Sequence, residues 1–216
     1  MVNLPKSFWL IAPYAAWMAL MAALPATVGG YAVRTAVVAA LLAMAAWQGR
    51  KTQDARRESG LSSSVSRPPV SFVSCLASSL LPGLLVGLAV FVMWILPEQF
   101  DWAWYRTFCI FGEGGTRAVA EASAAMIVVR LVGSAFVISV AEELFFRKWL
   151  IPFAGFWWMV GLFAVEHDRW LVAALCGMIY GWLYLRKGLF AAIVAHVTTN
   201  LVLGLWVLKT GQWQFW

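Results

Sequence analysis

The sequence predicts an all-α protein, a polytopic bundle of about seven transmembrane helices (six to eight), because a spanning helix needs about 20 apolar residues and such runs recur along the chain. Of the 216 residues, 62% are hydrophobic and 12% are charged, and the mean hydropathy is +0.78. An ordinary soluble domain is about 45–50% apolar and about 25% charged. The 14 tryptophans agree with this class, because Trp concentrates at membrane interfaces. We expect residues 1–216 to form a single integral membrane domain.

The apolar segments follow one another with few interruptions. The first has only Lys6 ahead of it and a second follows at once, so we expect a retained helix rather than a cleaved signal peptide. Residues 48–70 are rich in Ser and Arg and predict a polar basic loop, whereas the aromatic stretch 97–117 is expected to lie along the membrane interface. The predicted spans are Phe8–Leu24, Tyr31–Trp47, Phe72–Leu96, Val128–Pro152, Phe156–Glu166, Trp170–Leu185 and Leu189–Leu208.

The basic residues indicate an orientation rather than a nucleic-acid partner. With a cytoplasmic N-terminus, ten basic residues lie inside and five outside, with Arg130 at the outer end of its span, as the positive-inside rule requires. The net charge of +6 is thereby explained without nucleic acid. The three cysteines form no CxxC and predict neither a disulfide framework nor a thiolate metal site. The inner ten are Lys6, Arg50, Lys51, Arg56, Arg57, Arg67, Arg147, Lys148, Arg186 and Lys187, and the outer five are Arg34, Arg106, Arg117, Arg169 and Lys209.

Ionisable residues inside the late apolar segments are the candidate functional residues, because such groups are costly in a bilayer and persist when they are paired, face water or do chemistry. Counted from the turns at about 1.5 Å per residue, Glu142, His167 and His196 reach depths of about 15, 18 and 12 Å. The consecutive ionisable residues 166–169 imply a wet cavity or a broken helix at that depth. A carboxylate and two imidazoles are therefore expected to converge from three helices.

The spacing of these residues suggests a division of labour. Glu143 and Arg147 are four residues apart and should form an ion pair on one helical face. Glu142 points about 100° away and is left as the candidate working carboxylate. His196 and Asn200 also share a face, and together they can offer two hydrogen bonds to one oxygen.

Simpler interpretations stand beside the catalytic one. Glu143–Arg147 alone would be a structural ion pair, and a lone His167 would be a satisfied cavity residue. His196 and Asn200 alone could join helices, as polar side chains do in membranes. A proton-coupled transporter would also place acids and histidines at mid-membrane, although no internal repeat is visible. A catalytically silent scaffold or immunity protein of the same fold is a further alternative.

Three short motifs occur in order: EExxxR at Glu142-Glu143…Arg147, FxxxH at Phe163…His167, and HxxxN at His196…Asn200. In this order the chain resembles the CPBP family of intramembrane proteases, which includes the CAAX prenyl proteases and the ABI family. The likeness covers roughly residues 130–208, the expected catalytic core, and includes GMIYGWLYLRKGLFAAIVAHVTTNLVLG. The stretches YAVRTAVVAALLA, VGLAVFVMWILPE and VEHDRWL further resemble the exosortase-associated bacterial CAAX protease-related subgroup. This implies a bacterial inner membrane.

The resemblance implies hydrolysis of a peptide bond in a membrane-associated protein or peptide. It assigns Glu142 as the base that activates water and His167 as a group that holds the water. His196 and Asn200 would stabilise the oxyanion or bind the water from the other side, with Glu143, Arg147 and Phe163 as structural support. Because the chain is short for a eukaryotic prenyl-protein enzyme, the substrate need not be prenylated.

No cofactor is expected, because the chain has no HExxH and the imidazoles have no evident carboxylate partner of their own. Glu166 and Asp168 flank His167 but would point off its helical face. Zinc held by Glu142, His167 and His196 is the alternative.

Overall fold

The computed structural model describes residues 5–58, 72–111 and 123–215, and within these ranges all regular structure is helical, which confirms the all-α class. A short 3₁₀ turn, Trp213–Phe215, follows the last helix. In chain order the helices are α1 (Lys6–Ala23), α2 (Val28–Glu58), α3 (Phe72–Gln99), α4 (Ala103–Cys109), α5 (Ala124–Ala154), α6 (Phe156–Val165), α7 (Trp170–Lys187) and α8 (Leu189–Thr210).

Each of the seven predicted spans coincides with a helix, but the helices differ in their capacity to cross a membrane. Within the described ranges, four are long and apolar enough: Val28–Asp54 of α2, Ser78–Gln99 of α3, all of α5 and all of α8. Helix α6 has 10 residues, so its length is about 15 Å against a hydrocarbon core of about 30 Å. The chain is an integral membrane protein, and α6 alone is too short to cross the hydrocarbon core.

The prediction of a loop over residues 48–70 is wrong for its first half. Helix α2 continues to Glu58, and the Thr52 hydroxyl donates to the Gln48 carbonyl one turn earlier. Arg, Lys, Gln and Glu are good helix formers, so the change in composition marks where the helix leaves the apolar region rather than where it ends. Residues 59–70 lie outside the described ranges. In the aromatic stretch, the seven-residue α4 is too short to cross, and residues 112–117 are also outside.

The basic residues counted for orientation include three that are buried. Arg34, Arg147 and Arg169 are 3%, 0% and 6% exposed. These guanidinium groups bind carbonyl or carboxylate oxygens inside the bundle. Their charges therefore belong to the interior and should not be counted as loop charges that set the orientation. The cytoplasmic N-terminus stays a prediction.

Helices α3 and α8 pack closely because α3 carries glycine at two positions one turn apart. A Cβ at Gly83 would lie 2.9 Å from the Ala191 carbonyl oxygen, and one at Gly87 would lie 2.5 Å from that of Ala195. Small residues spaced four apart allow helix backbones to approach in membranes. The approach lets the Thr199 hydroxyl reach the Gly87 carbonyl at 2.8 Å, which fixes the rotation of α8.

Helix α5 is not uniformly α-helical. It is π-helical over Gly133–Ile138 and again over Glu143–Leu150. π-Turns inside α-helices often occur at functional sites. The second π-helical stretch begins at Glu143, directly after Glu142, so both candidate carboxylates lie at a change of helix type.

Candidate active site

Glu143 is the centre of a buried polar cluster that joins α5 to α8. Its Oε1 lies 3.1 Å from Arg147 Nη1, and both side chains are 0% exposed. The same oxygen lies 2.9 Å from His196 Nδ1. The predicted ion pair is therefore present, and it has an imidazole partner that the spacing within α5 could not reveal.

Arg147 has aromatic neighbours as well as a carboxylate. Its guanidinium carbon lies 4.4 Å from the ring centre of Phe163 and 5.5 Å from that of Tyr180. Cation–π contacts of this kind gain strength when they are removed from water. Phe163 thus contributes to the support of the buried charge.

The His196 ring is held by a hydrogen bond at Nδ1 and by an aromatic ring on one face. Because the Glu143 carboxylate accepts, Nδ1 carries a proton and donates to it, so in a neutral ring Nε2 holds the lone pair. The Tyr180 ring stacks on the imidazole with centroids 5.1 Å apart, and the Tyr180 hydroxyl donates to the Thr199 oxygen at 2.6 Å. The tautomer and the tilt of His196 are both set before any substrate arrives.

Glu142 faces this imidazole without binding it. Its Oε2 lies 3.7 Å from His196 Nε2, beyond hydrogen-bond distance, and has no hydrogen-bond partner. The Glu142 side chain as a whole is 12% exposed, although Oε2 itself is buried. Of the two adjacent glutamates, Glu143 holds Arg147 and His196 through Oε1, whereas Glu142 forms a hydrogen bond to neither.

His167 lies where α6 ends rather than on a continuing helix. Its Nδ1 is 2.8 Å from the Phe163 carbonyl, which can only accept, so Nδ1 donates. The Phe163 ring is 4.7 Å from the imidazole, and Trp94 of α3 makes an edge contact at 5.9 Å. The FxxxH motif therefore fixes His167 through the backbone and the ring of Phe163.

Glu166 joins the site, contrary to the expectation that it would point off the face of His167. Helix α6 ends at Val165 and the chain turns through residues 166–169, so helical spacing does not apply. Ligand atoms of Glu142, Glu166 and His167 lie within 4.8 Å of one another. Tyr14 of α1 donates its hydroxyl hydrogen to Glu166 Oε2. The break in the helix brings a second carboxylate to the first.

The Asn200 side chain is hydrogen-bonded to α5. Its Nδ2 donates to the Ser134 carbonyl at 3.1 Å and to the Ser139 hydroxyl oxygen at 3.0 Å. An amide nitrogen carries two hydrogens, so both are engaged. Donation to a substrate oxygen requires Asn200 to give up one of these bonds, most simply the one to the Ser139 side chain.

The turn that carries Glu166 and His167 is held in place by contacts of Arg169 and Trp170, the residues at its end. Arg169 Nε lies 2.5 Å from Glu98 Oε1 of α3, and its guanidinium lies over the Phe215 ring at 4.8 Å. Trp170 Nε1 donates to the Phe108 carbonyl at 2.9 Å. The turn between α6 and α7 is thus tied to α3, α4 and the C-terminal 3₁₀ turn.

Comparison with known families decides the relationship. Residues 124–202 match the family model described as type II CAAX prenyl endopeptidase Rce1-like. Over these residues the chain is similar to the Rce1-like family. No curated protein and no solved structure matches the chain significantly.

The Rce1-like region contains all three motifs, from the paired glutamates of α5 to Asn200 of α8. The CAAX protease relationship inferred from the motifs is therefore confirmed at the level of the family, which is one of membrane endopeptidases. The match ends before the C-terminal residues that bind Arg169 and does not include Tyr14 of α1.

The residues of the Rce1-like site also fit a divalent cation, in a set that differs from the predicted one. The predicted ligands were Glu142, His167 and His196, whereas the three that cluster are Glu142, Glu166 and His167. Oε2 of Glu142 and Oε1 of Glu166 are buried and lack hydrogen-bond partners. His167 donates Nδ1–H to a carbonyl, as metal-bound imidazoles usually do. A cation held there would lower the pKa of a bound water.

Proposed function

We propose that the protein is an intramembrane endopeptidase in which Glu142 activates water. The observation that carries the proposal is the contrast between two adjacent carboxylates. Glu143 is fully enclosed and binds Arg147 and His196 through Oε1, whereas the Glu142 side chain is 12% exposed, has no hydrogen-bond partner at Oε2 and faces the Nε2 of the same imidazole. A base needs an oxygen that is not already hydrogen-bonded, and Glu142 Oε2 is such an oxygen, facing His196 Nε2.

In the proposed reaction, one Glu142 oxygen takes a proton from water as the water oxygen attacks the carbonyl carbon of the scissile bond. The carbonyl π electrons move to its oxygen and form an oxyanion. When the oxyanion collapses, the C–N bond breaks and its electron pair goes to nitrogen. The proton held by Glu142 passes to that nitrogen, so Glu142 is returned as a carboxylate and one water has been consumed.

The histidines have distinct tasks in this scheme. His167, whose Nδ1 is bound to the Phe163 carbonyl, positions the water. His196 stabilises the oxyanion only when Nε2 carries a proton, because a ring with Nδ1–H alone has no donor there. The hydrogen bond from His196 Nδ1 to the Glu143 carboxylate at 2.9 Å orients the ring, so Glu143 is a positioning residue. Asn200 supplies a second donor after releasing Ser139.

The substrate we propose is a membrane-associated protein or peptide whose cleavage site can enter the bundle. The short helix α6 ends in a charged turn, whose polar groups would supply the polar interior that a peptide bond and water require. A prenylated tail is the class that the family name suggests, and a substrate linked to an exosortase system is the narrower possibility from the subgroup resemblance.

The experiment that tests the function compares peptides released by membranes containing the wild-type protein with those released by Glu142→Gln. Mass spectrometry of new termini is the readout, and a prenylated CAAX peptide in proteoliposomes is the first defined probe. We expect termini that the wild type produces and Glu142→Gln does not. A variant that inserts, folds and still releases the same peptides would show that Glu142 is not the base.

A further inference from the structure

Tyr14 joins α1 to the candidate active site. Its hydroxyl donates to Glu166 Oε2, between positions 152 residues apart in the sequence. The Tyr14 ring stacks on Phe145 with centroids 4.5 Å apart and makes an edge contact with Phe146 at 5.3 Å. Both of those rings belong to the π-helical stretch that begins at Glu143. Tyr14 therefore contacts both the turn after α6 and the helix that carries the paired glutamates.

The hydrogen bond from Tyr14 occupies only one of the two carboxylate oxygens of Glu166. The other, Oε1, is buried and has no hydrogen-bond partner among the described residues. It lies 3.8 Å from His167 Nδ1, beyond hydrogen-bond distance. In the same part of the chain, Glu142 Oε2 is likewise buried and without a hydrogen-bond partner in the described structure. Buried acceptors without a donor are costly, so these two oxygens favour a small donor that serves both.

One water molecule has suitable dimensions to serve both carboxylates. Its two hydrogens diverge at about 105°, so with hydrogen bonds of about 2.8 Å its two acceptors lie about 4.4 Å apart. Ligand atoms of Glu142, Glu166 and His167 lie within 4.8 Å of one another. A water held in this way gives one hydrogen to each carboxylate, and its oxygen keeps the lone pairs that attack a carbonyl carbon.

We propose that Glu166 is a second catalytic carboxylate, which holds the attacking water, and that Tyr14 is its positioning residue. The assignment rests on the proposed hydrolysis and adds two residues to it. One hydrogen of the water passes to Glu142 as the new C–O bond forms. The other stays on the water oxygen, hydrogen-bonded to Glu166 Oε1, and becomes the hydroxyl hydrogen of the tetrahedral intermediate. No proton is transferred to Glu166.

Glu166 needs an external partner because its own backbone does not fix the direction of its carboxylate. It follows the last residue of α6, and the terminal torsion of a glutamate has broad energy wells. The Tyr14 hydroxyl, bound at Oε2, selects the rotation that leaves Oε1 facing His167. Tyr14 lies outside the matched residues 124–202, so α1 completes a site whose three motifs all lie in the Rce1-like region.

The test is a double-mutant cycle on kcat, measured as cleavage of a prenylated CAAX peptide by the full chain in proteoliposomes. Tyr14→Phe keeps the ring that stacks on Phe145 and removes only the hydroxyl. We expect kcat to fall about tenfold with KM unchanged, as loss of one hydrogen bond predicts. Glu166→Ala should lower kcat by about 10²-fold, because a hydrogen bond to a charged group is stronger. Adding Tyr14→Phe to Glu166→Ala should then have no further effect, since Tyr14 acts through Glu166.

Tyr184→Phe is the matched control. It removes the same hydroxyl group from α7, 14 residues after the first residue of that helix and so about 21 Å along it from the turn. Its kcat should equal that of the wild type. Losses that multiply in the double variant, or an equal loss in Tyr184→Phe, would overturn the assignment of Tyr14. One zinc per wild-type chain that Glu166→Ala fails to retain would make Glu166 a metal ligand and would overturn its assignment as the group that holds the water.

An infrared measurement separates this assignment from the proposed function. The carboxylate stretching bands of isotope-labelled glutamate report hydrogen bonding without turnover. One band should shift in Tyr14→Phe, and the same substitution should shift none when Glu166 is already Ala. Absence of that shift overturns the role of Tyr14 even where hydrolysis depends on Glu142. Peptide release that persists in Glu142→Gln, with the shift present, contradicts the proposed function instead and reduces the bond between Tyr14 and Glu166 to a structural contact.

Discussion

Replacing Glu143 by glutamine should destabilise the protein far more than the same change at its neighbour. Glu143→Gln leaves the Arg147 guanidinium buried with no carboxylate, since its three nitrogens have no hydrogen-bond partner and its only salt bridge in the described chain is to Glu143. Removing one partner of a buried ion pair costs about 3–5 kcal/mol. The remaining ring contacts of Phe163 and Tyr180 offset a small part of this.

Glu142→Gln should leave the stability nearly unchanged. The carboxylate it removes has no bound partner at Oε2, and the new amide can donate to the lone pair on His196 Nε2, now 3.7 Å away. Activity should be lost, however, because an amide cannot take a proton from water. Glu143→Gln is therefore expected to lose stability, whereas Glu142→Gln is expected to lose activity.

The assay pairs thermal unfolding in detergent with peptide release in proteoliposomes. For a chain of this size, about 1 kcal/mol shifts the midpoint by about 2–4 °C, so Glu143→Gln should unfold roughly 6–20 °C lower. Adding Arg147→Met to Glu143→Gln removes the unpaired charge and should recover most of the loss. Equal thermal shifts for the two single variants, or a double variant no better than Glu143→Gln, would refute the assignment of Arg147 as a charge balanced by Glu143.

Further measurements test the remaining parts of the scheme. Asn200→Ala should slow turnover by about 10²-fold with little change in KM. Ser139→Ala frees one Asn200 hydrogen and should not slow turnover. Similar losses of turnover in both variants would assign Asn200 a structural role. Activity should survive exhaustive chelation with no stoichiometric zinc by metal analysis, and zinc lost and restored together with activity would instead make Glu142, Glu166 and His167 ligands. A cysteine at Gln53, in a variant without native cysteines, should be labelled from the cytoplasm, and labelling from outside only would reverse the orientation.

The sequence was sufficient for the fold class and for local pairs, because both depend on composition and short-range spacing. Apolar runs of the right length predicted the helices, and four-residue spacing predicted the Glu143–Arg147 ion pair. The contact between Glu143 and His196 joins positions 53 residues apart, so no spacing rule could supply it. The same holds for Asn200, whose two acceptors lie on α5.

The position of Glu166 shows how an assumed helix misdirected the prediction of the site. The sequence contains the relevant signal, since four consecutive ionisable residues follow a ten-residue apolar helix that is too short to cross a bilayer. A helix broken at that point satisfies its polar backbone groups only against protein or water, so its side chains must face inward. If the helix is taken to end before Glu166, this residue is expected beside His167 in the interior. There it accepts a hydrogen bond from the Tyr14 hydroxyl of α1. The charged turn at the end of α6, more than the histidine alone, is therefore the feature that brings a polar site into the middle of the bundle.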